Sequence, residues 1–197
     1  MIALIDYGAG NLRSVANALE HLEVEFEVVT DPEGLARAER VVFPGVGAAT
    51  SCMEALESAG LDEALRACEA PVLGICLGMQ VFTSWSAEGV GRVECLGVLP
   101  GHTALFEGAV KRPQIGWNTV RPIAEDPLFE GIPPDEHFYF AHSYRVHTEP
   151  ECVLAETDHG GPYPSAVRRA NFRGVQFHPE KSGLYGLRLL ENFARRC

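Results

Sequence analysis

The chain has 197 residues, of which 46% are hydrophobic and 22% are charged, and this balance is typical of one globular domain spanning residues 1–197. Its 27 acidic and 16 basic residues give a net charge of −11, which argues against nucleic acid or an anionic membrane as the main partner. No run approaches the ~20 apolar residues of a membrane span, and the start lacks the features of a signal peptide, so we expect a cytoplasmic protein. The six cysteines form no Cys-x-x-Cys pair, so we expect them to be free thiols.

The first half of the chain alternates predicted strands and helices. The predicted strands are residues 2–5, 24–28, 41–43 and 71–75, and the predicted helices are residues 12–22, 53–65 and 77–85. We expect Val24, Phe26 and Val28 to face inward, Pro44 and Gly45 to end the third strand, and the second helix to break near Gly60.

The second half is predicted to consist of short strands with frequent glycine and proline. These strands are residues 97–99, 108–111, 118–121, 137–140, 145–148, 153–156, 165–168 and 174–178. The chain ends in a predicted amphipathic helix over residues 182–196, with Leu184, Leu187, Leu190 and Phe193 inward. The expected fold is an α/β sheet with an antiparallel strand region folded onto it.

Cys76 lies in Gly74-Ile75-Cys76-Leu77-Gly78, the Gly-x-nucleophile-x-Gly pattern with cysteine at its centre. Such a turn joins a strand to a helix and brings the two glycine positions close together, so both must be small. Amides at the start of the helix favour the thiolate, and the Leu77 amide is placed to bind a developing oxyanion. We predict that Cys76 is a nucleophile and that the other five cysteines are structural.

His178 is the predicted base for this nucleophile. It ends the predicted strand 174–178 and is followed by Pro179 and Glu180. Residues two apart in an extended chain point to the same side, so Glu180 can approach the imidazole and orient it. Alone, the segment would also fit a strand-end histidine beside an exposed glutamate; with the Cys76 turn it predicts a Cys-His-Glu triad.

The other histidines give little sign of function. His137, His142 and His147 are spaced by five residues, which fits neither a helix face nor a strand face, so we expect no metal site. His21 and His102, like His159, are expected in loops or on the surface.

Two glycine loops follow predicted strands. Gly45-Val46-Gly47 fits either a second oxyanion donor or an ordinary turn between a strand and a helix, and the residues alone leave both open. Gly8-Ala9-Gly10 lacks the third glycine of a dinucleotide-binding loop, because Arg13 occupies that position.

Residues 74–80, Gly-Ile-Cys-Leu-Gly-Met-Gln, and residues 177–180, Phe-His-Pro-Glu, resemble the class I (triad) glutamine amidotransferases. Three more segments, residues 6–12, 113–118 and 179–182, resemble the branch of that family that serves imidazole glycerol phosphate synthases. The resemblance covers essentially the whole chain. It implies a flavodoxin-like, mostly parallel central sheet with flanking helices and an additional antiparallel strand region.

The resemblance also implies a mechanism that needs no cofactor. Cys76 would attack the side-chain amide of glutamine, His178 would transfer protons, Glu180 would orient His178, and a glutamyl thioester would form and be hydrolysed. The implied oxyanion strand is Gly45, Val46 and Gly47, and the implied substrate contacts are Gln80, Ser143 and Tyr144. In one departure from the family, Ala48-Ala49-Thr50 follows the oxyanion strand where an aromatic residue is expected near Ala49.

The residues assigned to glutamine hydrolysis are spread over the whole domain, and no region is left to bind a substrate that accepts ammonia. Ammonia released into water would be protonated, so a partner is expected to receive it. The resemblance implies a heterodimer with a (β/α)8-barrel cyclase subunit that makes imidazole glycerol phosphate and an aminoimidazole carboxamide ribonucleotide. Of the 16 basic residues only Lys111 and Lys181 are lysines, and Lys181 next to Glu180 is expected to pair with an acidic residue of the partner. Trp117, Asn118 and Asn11 are further interface candidates, although Trp117 fits a buried core position equally well.

Three alternatives remain open from the sequence. The first is a glutaminase subunit of anthranilate, aminodeoxychorismate or pyridoxal phosphate synthase, which the segments at 6–12 and 113–118 argue against. The second is a non-catalytic regulatory module, which the intact triad argues against. The third is a cysteine peptidase of related fold, which fits Gln80 and the His-Pro-Glu segment less well.

Overall fold

The computed structural model describes residues 1–9, 11–89 and 91–197, so Gly10 of the opening glycine loop lies outside the described residues. The strands are β1 (Ile2–Ile5), β2 (Phe26–Val29), β3 (Arg40–Gly45), β4 (Val72–Cys76), β5 (Trp85–Ser86), β6 (Val93–Glu94), β7 (His102–Leu105), β8 (Gln114–Pro122), β9 (Glu136–His142), β10 (Tyr144–His147), β11 (Val153–Asp158), β12 (Pro162–Arg169) and β13 (Phe172–Val175). The helices are α1 (Leu12–His21), α2 (Pro32–Ala36), α3 (Ala49–Ala59), α4 (Leu61–Arg66), α5 (Leu77–Gln80) and α6 (Gly183–Arg196). Short 3₁₀ turns cover Pro127–Phe129, Pro150–Cys152 and Pro179–Lys181.

A nine-stranded sheet in the order β2-β1-β3-β4-β13-β12-β11-β8-β9 forms the centre of the fold. Strands β2, β1, β3, β4 and β13 run parallel, and the remaining pairs of this sheet are antiparallel. A second sheet has the order β10-β7-β5-β6. This arrangement confirms the predicted α/β class, with a parallel sheet and an additional antiparallel region.

The inner parallel strands β1, β3 and β4 are buried on both faces, as their continuous apolar runs predict. In β1, Ile2 and Leu4 pack into one hydrophobic cluster, while Ala3 and Ile5 pack into another on the opposite side of the sheet. All five residues of β4 are buried. The turn at Cys76, at the end of β4, therefore rests on a strand that is fixed from both sides.

The register of the parallel strands brings the predicted site residues to one edge of the sheet. Val175 of β13 pairs with Ile75 of β4, and Gly45 of β3 pairs with Cys76. Because parallel strands share a carboxyl edge, the chain that follows each of them emerges on the same side. Cys76, His178 and the Gly45–Gly47 loop meet there.

The predicted helix over 77–85 is wrong beyond its first turn. Helix α5 ends at Gln80, because the carbonyl groups of residues 81–83 accept hydrogen bonds from the backbone amides of residues 96, 97 and 99. The short strand β5 follows and joins the second sheet. A contact distant in sequence therefore replaces the i to i+4 ladder that the apolar spacing predicts.

Several predicted strands also differ. Residues 97–99 and 108–111 are not strands, the strands β5, β6 and β7 are absent from the prediction, and β13 ends at Val175 rather than at His178. Gly97 and Gly108 adopt φ of 68° and 78°, which turns the chain out of extended conformation. Strand β3 does not stop at residue 43, because Pro44 and Gly45 both still pair with β4.

One residue on each of two predicted inward faces is wrong, whereas Val24, Phe26, Leu187, Leu190 and Phe193 pack into or against the core as predicted. Val28 is 44% exposed, because β2 is the outer strand of the sheet. Leu184 is 73% exposed, whereas Leu189 is fully buried. Gly186 packs directly on the carbonyl group of Pro179, which turns the face of α6 around Gly186 and Leu189 toward the core. The predicted break between α3 and α4 is confirmed at Gly60, with φ of 68°.

No helix in the described part of the chain has the length and apolar character needed to cross a bilayer.

Candidate active site

Cys76 lies at a strained strand-to-helix turn. It is the last residue of β4 and precedes the first residue of α5, with φ of 56° and ψ of −108°. A residue with a Cβ atom rarely adopts positive φ, and such outliers concentrate at functional sites. The turn is the one that the Gly-x-Cys-x-Gly pattern predicts.

The glycines around Cys76 allow the backbone to pack closely. A Cβ atom on Gly74 would lie 2.7 Å from the carbonyl carbon of Gly78 and 2.6 Å from the Phe82 ring, and one on Gly78 would collide with the carbonyl oxygen of Phe43. A Cβ atom on Gly45 would lie 2.7 Å from the Gly78 nitrogen. The requirement for small residues therefore extends to Gly45, in the neighbouring strand.

His178 and Glu180 form a buried pair. The Nδ1 atom of His178 is 2.8 Å from Oε1 of Glu180, and their side chains are 4% and 0% exposed. The backbone N–H of His178 donates to the carbonyl oxygen of Tyr139 at 2.8 Å, which anchors the residue beyond the end of β13. The local geometry differs from the extended chain expected, because residues 179–181 form a 3₁₀ turn that folds Glu180 back onto the ring.

The electrostatics of this pair favour a charged imidazole. Burial lowers the pKa of His178, but hydrogen bonds to Cys76 and Glu180, together with the charges of both groups, outweigh burial and raise this pKa to about 10. Cys76 thus lies close enough to the ring that Glu180 orients to contribute to the pKa of that ring.

A cavity of about 220 Å³ opens onto the Cys76 sulfur. Its walls are Val46, Gly47, Cys76, Leu77, Gln80, Glu88, Pro113, Ala141, His142, Ser143 and Tyr144. The oxyanion and substrate residues expected from the sequence thus converge here, with Gly45 paired directly to Cys76. A larger groove of about 780 Å³ beside Ile123 contains none of the expected site residues.

Two glutamines form a hydrogen-bonded chain next to Cys76, and one of them, Gln80, lines the cavity. The side-chain amide of Gln80 donates to the carbonyl oxygen of Tyr144 at 3.1 Å and to Oε1 of Gln176 at 2.9 Å. Gln176 in turn donates to the Cys76 sulfur at 3.7 Å. Gln176 is absent from the sequence prediction, although its position two residues before His178 could have indicated it.

Glu88 is a second residue that the sequence analysis missed. Its Oε2 atom accepts the backbone N–H of Ala49 at 2.9 Å, and its carboxylate forms part of the cavity wall. Burial raises the pKa of Glu88, while the Ala49 N–H partly offsets this effect. No spacing or motif distinguishes Glu88, because it reaches the cavity only through the fold of the second sheet.

The expected aromatic residue beneath the oxyanion loop is replaced from another part of the chain. Ala49 is fully buried in the same cluster as Tyr7 and Phe43. The Tyr7 ring packs edge-on against Phe43 with centroids 5.8 Å apart, and its hydroxyl is 3.5 Å from the carbonyl oxygen of Val46. Tyr7 therefore supplies aromatic packing next to the loop.

The four candidate interface residues differ in their surroundings. Trp117 is 57% exposed, so the core interpretation of this residue is wrong. Its ring packs edge-on against Tyr139, and Lys181 Nζ lies 5.9 Å from the Tyr139 ring centroid. Asn118 donates to the carbonyl oxygen of Asp158, and Asn11 donates to Glu180, each at 2.8 Å.

Three of the other histidines have structural contacts. His142 is buried, with Nδ1 2.7 Å from the Tyr144 carbonyl oxygen, and burial lowers its pKa to about 4. His102 is a strand residue rather than a loop residue, and its ring stacks between Trp85 and His147. Within residues 1–9, 11–89 and 91–197, no three His, Cys, Asp or Glu side chains gather into a potential metal site.

Comparison with known proteins places the chain in a well-defined group. The family model for glutamine amidotransferase class-I matches residues 3–197. The chain is 47% identical to the imidazole glycerol phosphate synthase subunit HisH of Dehalococcoides mccartyi, covering 98% of this chain and 96% of the relative. It is 46% identical to the protein of the same name from Archaeoglobus fulgidus, covering 98% and 97%.

Solved structures support the fold at lower identity. A crystal structure of a glutamine amidotransferase superposes with a TM-score of 0.77 at 20% identity, covering 98% of this chain and 99% of that one. The structure of PurLQS from Thermotoga maritima superposes with a TM-score of 0.73 at 19% identity, covering 98% of this chain and 96% of that one. At such identities the likeness concerns the fold alone.

Proposed function

The chain belongs to the class I glutamine amidotransferases, and from this premise we propose that it is the glutaminase subunit of an imidazole glycerol phosphate synthase, with Cys76, His178 and Glu180 as its catalytic triad. The observation that carries the proposal is the buried ring–carboxylate pair, 2.8 Å long, beside the Cys76 thiol. The near full-length similarity to HisH subunits supports the choice of synthase.

The first half of the reaction forms a thioester. The Cys76 thiolate attacks the side-chain carbonyl carbon of glutamine, and the carbonyl oxygen becomes an oxyanion within reach of the Leu77 amide and of the loop around Val46 and Gly47. The His178 imidazolium gives its proton to the amide nitrogen as the C–N bond breaks. Ammonia leaves, and a glutamyl thioester remains on Cys76.

The second half returns the enzyme to its starting state. His178, now neutral, takes a proton from water as the water oxygen attacks the thioester carbonyl. The C–S bond breaks, glutamate leaves, and the thiolate–imidazolium pair is restored. Glu180 holds the ring in one tautomer through both halves, since its Oε1 faces Nδ1 and leaves Nε2 for the sulfur and the substrate.

The cavity walls supply the contacts that a free amino acid needs. Glu88 places a carboxylate where the α-ammonium group of glutamine can pair with it. Ser143 and Tyr144 form the wall for the amino-acid end of the substrate, and Gln80 is held rigidly beside Cys76 by its two hydrogen bonds. These contacts favour a single amino acid over a peptide.

A cyclase subunit with a (β/α)8 barrel is the proposed receiver of the ammonia, in a heterodimer working in the cytoplasm. The surface formed by Trp117, Tyr139 and Lys181 is the proposed contact face. Trp117 and Lys181 are exposed, and the half-buried Tyr139 between them accepts the His178 N–H with its carbonyl oxygen. The ammonia would be used to form imidazole glycerol phosphate and an aminoimidazole carboxamide ribonucleotide.

The proposed reaction is tested by removing the thiol. In complex with the cyclase, Cys76→Ala should abolish synthesis driven by glutamine and leave synthesis driven by ammonium salts intact. Cys152→Ala, which removes a buried thiol from the 3₁₀ turn Pro150–Cys152, is the matched control and should retain both activities. Normal use of glutamine by the Cys76→Ala complex would rule out the assigned nucleophile.

The proposed contact face is tested with the two lysines of the chain. Lys181→Glu should weaken binding to the cyclase and lower glutamine-driven synthesis, because it reverses the charge expected to meet an acidic partner residue. Lys111→Glu is the control, since it changes the same charge at another exposed position. Equal binding by the two variants, measured by calorimetry, would place the contact elsewhere.

A further inference from the structure

Asn11 occupies a helix-capping position without capping its helix. It is the residue before α1, where asparagine is favoured because its side-chain oxygen accepts a backbone N–H of the first turn. No such hydrogen bond forms here. The side-chain amide instead donates from Nδ2 to Oε1 of Glu180 at 2.8 Å, across 169 residues of sequence.

Glu180 therefore receives two N–H groups on one oxygen. Oε1 lies 2.8 Å from His178 Nδ1 and 2.8 Å from Asn11 Nδ2, and the Glu180 side chain is fully buried. The terminal torsion of a glutamate is soft, so one hydrogen bond leaves the carboxylate free to rotate. A second donor from a fixed helix end removes that freedom.

We propose that Asn11 is a positioning residue of the triad, whose amide fixes the Glu180 carboxylate so that Oε1 stays aligned with His178 Nδ1. The inference deepens the proposed function and rests on it. Asn11 contacts Glu180 alone within the triad and acts on the reaction only through it.

The chemistry explains why asparagine suits this position better than other capping residues. Aspartate caps helices as well as asparagine does, but it would set a second carboxylate against the buried Glu180. Serine also caps well, but its side chain is shorter and carries a single O–H donor. Only the amide offers an uncharged N–H donor of this reach.

Two substitutions remove the donor in different ways and make the proposal testable. Asn11→Ala removes the N–H donor alone, since the Asn11 side chain caps no backbone group, whereas Asn11→Asp also sets a second carboxylate beside Glu180. Asn17→Ala is the matched control, because Asn17 is an exposed asparagine on the same helix. Each variant is assayed in complex with the cyclase for kcat and KM of glutamine across a range of about three pH units around neutrality.

Loss of a hydrogen bond to a charged group predicts a fall in kcat of about 10- to 100-fold for Asn11→Ala, with KM changed less than about threefold. The kcat of Asn11→Asp should be lower still at neutral pH. It should recover as the pH is lowered, because one shared proton turns the introduced carboxyl group into a donor toward Glu180.

Thermal unfolding separates these effects from a loss of structure. Asn11→Ala should unfold within a few degrees of the unchanged protein, since the Asn11 side chain caps no backbone N–H, and so it carries the test if the second carboxylate destabilises Asn11→Asp. A kcat and pH profile for Asn11→Ala equal to those of Asn17→Ala would overturn the positioning role. Glutamine-driven synthesis by the Cys76→Ala complex would instead overturn the triad itself.

Discussion

Replacing Cys76 by glycine should give a more stable protein than replacing it by alanine. The backbone at Cys76, with φ of 56° and ψ of −108°, is strained for any residue with a Cβ atom, and such strain amounts to about 1–3 kcal/mol. Glycine relieves this strain, although the greater conformational freedom of glycine in the unfolded chain takes back about 0.5–1 kcal/mol of the gain in the free energy of unfolding. Taking the middle of each range, the free energy of unfolding of Cys76→Gly should therefore exceed that of Cys76→Ala by about 1 kcal/mol.

Both variants lack the thiol, so the loss of its interaction with His178 cancels in the comparison. Denaturation by urea measures the difference directly, and thermal unfolding should show a gap of about 2–4 °C per kcal/mol for a chain of this size. The control is the same pair of substitutions at Cys52, inside α3, where alanine should be favoured over glycine by about 1 kcal/mol. If alanine were as stable as glycine at position 76 while the Cys52 pair behaved as expected, the argument from strain would fail.

Three further perturbations test the substrate site, a buried ion pair and acid stability. Glu88→Gln should raise the KM for glutamine about 10-fold or more by removing the charge that faces the substrate ammonium group; an unchanged KM in steady-state assays would exclude Glu88 from the site. Asp126→Asn should lower the free energy of unfolding in urea by about 3 kcal/mol, because the fully buried carboxylate binds Arg168 and Arg173 at 2.7 and 2.9 Å; a loss below about 1 kcal/mol would contradict this role. His142 has a pKa of about 4 against an ordinary 6.5, so the unfolded state binds its proton first, and the free energy of unfolding should fall as the pH falls through that window. His142→Gln should flatten this fall, and an equally steep pH dependence would show that other groups cause it.

The parts of the site that depend on local backbone geometry could be predicted from the sequence. The Cys76 turn needs small residues on both sides, and Gly74 and Gly78 are spaced accordingly. The pairing of His178 with Glu180 also needs only three consecutive residues. In that case the expected contact is present although the expected backbone is not, since a 3₁₀ turn rather than extended chain brings the carboxylate to the ring.

Residues positioned by distant contacts could not be found in the same way. Glu88 follows a short strand whose partners lie elsewhere in the second sheet, and Tyr7 supports the oxyanion loop from the end of the first strand. Asn11 shows the same effect at a single side chain. Asparagine before a helix is typical of a helix cap. The Asn11 side chain instead donates to the Glu180 carboxylate, 169 residues away in sequence.

Pairing between β4 and β13 determines whether the proposed triad can form. With Val175 opposite Ile75, Cys76 lies one residue beyond this pair and His178 lies three residues beyond it, so both reach the carboxyl edge of the sheet together. A slip of one residue would turn every side chain of β13 to the opposite face of the sheet. The Val175 side chain, which is buried in the hydrophobic cluster on one side of the sheet, would then point to the other side. Burial of alternate residues on both faces therefore fixes the catalytic distance as well as the fold. The same reasoning explains why Gly174 has no side chain, since a Cβ atom there would press into Met79 of the helix that follows the nucleophile and would push the two strands out of this register.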